Sequence, residues 1–295
     1  MEGLDLQLGL HLPNTGPLAS SVDLIELARN AESLGMDAVW VADRLLNATS
    51  IRPASLRGVR PRTIDPQGWY CDAMTVLAVI GGATHRIRLG TRVLLPALRH
   101  PVVLAKEISA LSALLGSGRV LLGVGAGWME EEFETMGLAR ADRFELLEES
   151  IALMRQAWSQ GVSTFSGRHY SHVESGFLPV PDRPVPILIG GEVEGAFRRA
   201  ARIGDGLVLR GLNPGPDLER DLGAFMSGLQ RACAEVDRDP DELFVVAGLP
   251  ASAPPEAFVT AAELGVDHCA ISLVDRSDFD LGRVGRLLES LGGGG

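Results

Sequence analysis

Short apolar runs alternate with helix-period stripes along almost the whole chain, and this alternation constrains the fold more than any other feature. The runs are Leu6–Leu12, Ala38–Val41, Ile87–Leu94, Val120–Val124, Pro186–Ile189, Gly206–Leu209, Leu243–Ala247 and Cys269–Leu273. Each is four to eight residues long and rich in Val, Ile and Leu. Being apolar at nearly every position, they suit parallel strands covered on both faces. Between them, Leu24, Leu27, Ala28, Ala31 and Leu34 share one helical face, and Phe144, Leu147, Ile151, Met154 and Trp158 another. Similar stripes run over Leu104–Leu115, Val193–Ala200, Leu218–Leu229, Phe258–Leu264 and Leu287–Leu291. Residues Tyr70–Ala83 are apolar nearly all round, which fits a buried helix or an interface. Eight such alternations in 295 residues predict an α/β fold, a (β/α)8 TIM barrel, forming a single domain over residues 1–291 with a disordered glycine tail at 292–295. An open doubly wound sheet is the alternative. Asn47–Gly68 and Gly161–Arg183 are too long for ordinary connections and read as insertions after strands 2 and 4.

Composition narrows the function classes. The formal net charge is −11, whereas a general nucleic-acid binder needs a basic surface to neutralise phosphates. Three cysteines, odd in number and far apart, give neither a disulfide framework nor zinc spacing and fit a reducing compartment. No run reaches the roughly 18 apolar residues of a membrane span, and the N-terminus lacks a basic region followed by an apolar stretch, so a cytoplasmic protein is expected. No metal is expected either, because His169 and His172 have no carboxylate pattern beside them. The basic residues are 26 Arg against one Lys, Lys106. Most of that excess reads as coding bias, apart from the arginines that cluster.

In a TIM barrel, catalytic groups stand at the carboxyl ends of the strands. That rule selects His11 after strand 1, Asp43 and Arg44 after strand 2, and Arg92 onward after strand 3. After strand 4 come Gly125, Ala126, Gly127 and Trp128, followed by Glu130, Glu131 and Glu132. Gly190, Gly191 and Glu192 follow strand 5, and Arg210 follows strand 6. The glycine run after strand 4 is not a dinucleotide fingerprint, since Trp128 takes the third glycine position and no acidic residue closes a following strand at the required distance. Its glycines would instead let a flat ring or a phosphate approach the backbone, and Gly190-Gly191 opens a helix whose N–H groups could bind phosphate. No GxSxG elbow is present, so hydrolase chemistry has no support.

At these residues the chain resembles the luciferase-like monooxygenase family, and within it the F420-dependent oxidoreductases. The likeness runs over roughly residues 5 to 275. It is carried by Arg86-Ile-Arg-Leu-Gly-Thr-Arg-Val-Leu-Leu-Pro, Arg99-His-Pro-Val-Val-Leu-Ala-Lys-Glu, Gly118-Arg-Val-Leu-Leu-Gly-Val-Gly-Ala-Gly-Trp, Pro184-Val-Pro-Ile-Leu-Ile-Gly-Gly and Ala201-Arg-Ile-Gly-Asp-Gly. The resemblance implies a deazaflavin or flavin on the top face, its ring over a bulge after strand 3. It implies a non-prolyl cis peptide at Arg92-Val93, and cofactor contacts at Gly125–Trp128 and Gly190–Glu192. The acidic residue ending strand 2 matches Asp43. Two departures matter: Arg44 stands where many F420 members have His, and Ala126 stands where FMN members often have a phosphate-binding Arg. F420 is therefore expected over FMN, in a hydride-transferring oxidoreductase acting on a small organic substrate. The alternatives are an FMN-dependent monooxygenase using dioxygen and a non-catalytic flavin-binding barrel. His11, Asp43 and Glu131 are the expected ring-side polar groups, with Trp128 walling the pocket. Arg44, Arg52, Arg57, Arg60, Arg62 and Arg210 are candidates to grip a cofactor tail or an acidic substrate. The resemblance also implies a homodimer, with the Tyr70–Ala83 helix taking part.

Overall fold

The computed structural model describes residues 6–16, 18–52, 65, 67–116, 118–273 and 281–291. Eight parallel strands close into a barrel: β1 (Gln7–His11), β2 (Ala38–Val41), β3 (Arg88–Leu94), β4 (Val120–Val124), β7 (Ile187–Gly190), β8 (Gly206–Gly211), β9 (Phe244–Pro250) and β10 (His268–Ser272). They are the eight apolar runs of the sequence. Around the wall the order is β1-β10-β9-β8-β7-β4-β3-β2, so β4 bonds directly to β7. The missing pair, β5 (Val162–Ser166) and β6 (Ser171–Gly176), forms an antiparallel hairpin outside the barrel.

The helices are α1 (Leu24–Ser33), α2 (Ala73–Ala83), α3 (Pro101–Leu115), α4 (Glu130–Thr135), α5 (Arg143–Gln160), α6 (Glu194–Ile203), α7 (Leu218–Ala234), α8 (Pro255–Glu263) and α9 (Leu281–Ser290). Local chemistry sets their starts. The Asp23 carboxylate caps α1 by accepting from the Ile25 and Glu26 N–H groups at 2.9 and 3.0 Å, and Pro101 opens α3, where its missing N–H costs nothing. None of the described helices is long and apolar enough to cross a membrane.

Strand alternation divides the core in two. Outward-facing Leu8, Leu10, Val39, Val41, Leu89, Leu122, Ile187, Ile189 and Leu207 pack against the helices. The smaller interior cluster holds Trp40, Leu121, Leu188, Val208, Val246 and Ala270. Trp40 lies against Gly90, where a Cβ would come within 2.3 Å of its ring, and its Nε1 donates to His268 Nε2 at 2.9 Å. Burial pushes the His268 imidazole down to about 3, so this histidine is a neutral core group.

The segment 161–183 departs from the expected plain connection. Its hairpin escapes the apolar-run criterion because the strands are mostly exposed and polar on both faces. Glu149 on α5 holds its tip by accepting the N–H groups of Arg168, His169 and Tyr170 at 2.7, 2.9 and 3.1 Å. Tyr170 then packs beside Leu95, Ala97, Leu98, Phe133 and Leu146, so the hairpin braces the region where strands β3 and β4 end.

Candidate functional site

The site face is assembled from the ends of β1 to β4 and β7 to β10. His11 closes β1, level with Trp40 and Ser272 in the two neighbouring strands. Buried Asn14 ties this corner together: its Nδ2 donates to the Ala42 and Cys71 carbonyls at 2.7 and 3.0 Å, and its Oδ1 accepts from the Ala42 N–H at 2.9 Å.

The Arg92-Val93 peptide is cis, at the point where the β3–β4 register shifts. Val93 stands in the mouth of the barrel, and the strands beside it carry glycine. A Cβ on Gly125 would lie 2.7 Å from Val93 Cγ2, and one on Gly190 would lie 2.9 Å from Val93 Cγ1. Arg92 crosses toward the opposite wall, where Nη2 donates to the Leu209 carbonyl at 3.3 Å, and a Cβ on Gly248 would fall 1.9 Å from that nitrogen. At Gly127 a positive φ of 79° and the Phe133 ring together exclude a side chain. The floor of the mouth is therefore a valine ringed by bare backbone, which leaves room for a flat ligand above it. Ala126 places no charge there.

The polar residues singled out by the sequence divide sharply. Asp43 is fully committed: Arg99 binds it bidentately at 2.6 and 2.8 Å, and the Leu95 N–H donates to it at 2.9 Å. Its side chain, expected from the sequence at the ring, is 0% exposed. Arg99 extends the link to Asp72 at 2.8 Å. Burial would raise the Asp72 carboxyl, but the Thr75 N–H and hydroxyl and Arg99 outweigh it and hold it low. Glu131, also expected near the ring, accepts the Arg52 N–H at 2.7 Å. Its neighbour Glu132 is the buried carboxylate, with Oε1 accepting from the Leu45 N–H at 2.9 Å and Oε2 lying 3.7 Å from Arg44 Nη1. Burial pushes the Glu132 carboxyl up, against the opposing pull of Arg44 and the Leu45 and Leu46 N–H groups.

The arginine cluster dissolves in part. Arg52 is paired bidentately with Glu134 at 2.5 and 2.6 Å, while Arg57, Arg60 and Arg62 lie outside the described residues. Arg210 is held by Glu192, which takes its N–H at 2.7 Å and its guanidinium at 2.8 Å. Glu192 thus puts a carboxylate beside the start of α6, where the sequence reading expected a phosphate. Gly191 N–H is spent on the Val208 carbonyl at 3.1 Å. Arg44 lies over the Trp128 ring at 5.0 Å and the Tyr70 ring at 5.8 Å. A surface hollow of about 430 Å3, lined by Arg155, Trp158, Asp182, Arg183 and Asp205, lies at the opposite end, where β7 and β8 begin.

This glycine-floored mouth, with its cis peptide after the third barrel strand, is matched by a family model. The description "luciferase-like monooxygenase" covers residues 9–269. The chain belongs to the luciferase-like monooxygenase family. Among its relatives, an F420-dependent glucose-6-phosphate dehydrogenase from Amycolatopsis mediterranei (strain U-32) is 35% identical over 192 residues, 63% of this chain and 52% of that protein. A protein of the same description from Nakamurella multipartita is 34% identical over 227 residues, 73% of this chain and 60% of that one. The chain thus spans a little over half the length of these curated relatives. An F420-dependent secondary alcohol dehydrogenase, solved with an F420-acetone adduct, shares the fold at a TM-score of 0.75, with 18% identity over 97% of this chain and 99% of that one. The sequence did not single out Met129 or Tyr70, and it placed Arg99 and Glu132 among the strand-end residues without a role. Arg99 lies inside a quoted family stretch but 56 residues from Asp43, and nothing local links the two.

Proposed function

We propose that this protein is an oxidoreductase that moves a hydride between coenzyme F420 and a small organic substrate. The observation that carries the reading is the mouth itself: Val93 framed by Gly125 and Gly190, where an added Cβ would collide with the valine, a floor on which a planar ring can rest. The two relatives described as F420-dependent support it, and Ala126, which offers no phosphate-binding guanidinium, favours F420 over FMN. F420, when bound, supplies the hydride chemistry. The chain's part is to seat and shield it. Gly125, Ala126, Gly127 and Trp128 give close backbone approach on one side, and Gly190 and Gly191 on the other. Arg92 and Val93 form the floor, Trp128 walls off water, and His11 is the titratable side chain at the mouth for moving a proton. Asp43 serves by fixing Leu95 and Arg99 behind the bulge. We assign the protein to the cytoplasm and to a homodimer through α2 and α3, whose outer faces expose Val79, Val103 and Leu114.

Equilibrium titration of the purified protein with F420 and with FMN tests this. Saturable binding of F420, at least tenfold tighter than FMN, is expected. Binding of FMN alone would move the chain to the FMN-dependent monooxygenases. Binding of F420 with no turnover of reduced F420 across a broad substrate panel would make it a carrier barrel.

A further inference from the structure

The guanidinium of Arg44 is poorly matched to its surroundings. It carries five N–H donors and a charge that no physiological pH removes. Its side chain is only 13% exposed, so water does not fully serve those donors. Its protein partners are weak: Met129 Sδ at 3.6 Å from Nη1, a thioether and hence a poor acceptor, and Glu132 Oε2 at 3.7 Å, beyond hydrogen-bond reach. Glu132 Oε2 is itself buried without a hydrogen-bond partner. The Trp128 and Tyr70 rings hold the group by its flat face, an arrangement that fixes a guanidinium while leaving its N–H edges unused. Three other described arginines on this side of the barrel have a carboxylate at 2.5 to 2.8 Å: Arg52 on Glu134, Arg99 on Asp43 and Arg210 on Glu192, while Arg92 donates to the Leu209 carbonyl at 3.3 Å.

From this contrast we infer that Arg44 is the specificity-determining residue of the site, and that it receives a carboxylate of the substrate through paired N–H···O bonds. The substrate class is then a small organic acid, held with its carboxylate on Arg44 and its apolar part against Trp128 and Tyr70. Glu132 acts as a positioning residue: buried on α4, it balances the Arg44 charge from behind without occupying its donors. The inference rests on the oxidoreductase reading for the site's purpose, and on the Arg44 geometry for the ligand's charge. It also sets a chemical limit, because a guanidinium cannot take a proton from a substrate hydroxyl at neutral pH. The residue at this position binds and orients, and proton transfer falls to another group.

The test uses benzoate as the anionic probe and benzamide as its neutral counterpart, titrated into cofactor-free protein and read by calorimetry and by tryptophan fluorescence. Benzoate is expected to bind at least about tenfold more tightly than benzamide, consistent with a charge-assisted bidentate contact. Arg44→Gln should bring benzoate down to the benzamide level, and Arg44→Lys should keep part of the preference, which also controls for misfolding of the glutamine variant. Equal binding of the two probes to the unaltered protein, or a preference that survives Arg44→Gln, overturns the assignment. F420 and the tail-less deazaflavin nucleoside are titrated in parallel. If Arg44→Gln weakens F420 and spares the nucleoside while benzoate binding is unchanged, the guanidinium serves the cofactor tail and the substrate assignment fails. Should F420 bind normally and benzoate show no preference, the oxidoreductase reading stands without this inference; should F420 not bind at all, it is that reading which fails.

Discussion

Asp43 and Arg99 show how a residue conspicuous in sequence can have its role set by a partner far along the chain. An aspartate at a strand end, followed by arginine, is legible as a site residue, and the structure keeps it at the site. What it does there depends on Arg99, which the parallel pairing of β2 with β3 brings alongside it. The pair is buried, so removing one member strands a charge. Arg99→Met is expected to destabilise the fold by about 3–5 kcal/mol, and the double variant with Asp43→Asn to recover part of the loss. Urea unfolding of the two variants reads the difference, and a loss below about 1 kcal/mol in Arg99→Met would place the pair among weak surface bridges. The Glu130–Glu132 run was ambiguous in sequence for a related reason. Three like charges at a helix start read as one solvated turn, and only the burial of Glu132 and Phe133 shows which carboxylate faces inward.

Among the elements, the barrel strands were fully legible because parallel strands covered on both faces cannot avoid writing themselves as apolar runs. The hairpin left no such trace, being held from outside by side chains of α5, chief among them Glu149. Burial would raise the Glu149 carboxyl, yet three backbone N–H groups outweigh it and hold it below its usual range. A group whose folded value is depressed stabilises fully above its unfolded value, about 4.3, and loses that contribution as pH falls through the folded value. Stability measured against pH should therefore show an acid limb below about pH 4.3 that becomes shallower in Glu149→Gln. In the same variant at neutral pH, amide exchange at residues 168–170 should quicken while β4 stays protected. An unchanged acid limb together with unchanged exchange would mean that Glu149 does not hold the tip. Since Tyr170 rests on Leu95 and Phe133, the variant also reports whether the hairpin braces the mouth.

At the scale of the whole molecule, α2 and α3 leave Val79, Val103 and Leu114 on their outer surfaces, Leu114 at 84% exposure. Apolar side chains grouped on adjacent helices mark an association surface. Sedimentation is expected to give a dimer that Val79→Glu and Leu114→Glu together convert to monomer, and a monomeric unaltered protein would remove the dimer proposal. The alternation of strands and helices admitted either one barrel or an open sheet, and it is the β1–β2 and β1–β10 pairings that close the ring. The wall has one further property. Because β4 bonds directly to β7, the stretch from 125 to 186 leaves and rejoins the barrel at adjacent staves. The exposed β5–β6 hairpin within it can be lengthened or exchanged while the β4–β7 register remains as it was, whereas α5 is fixed in place by Leu147, Ile151 and Met154 in the core.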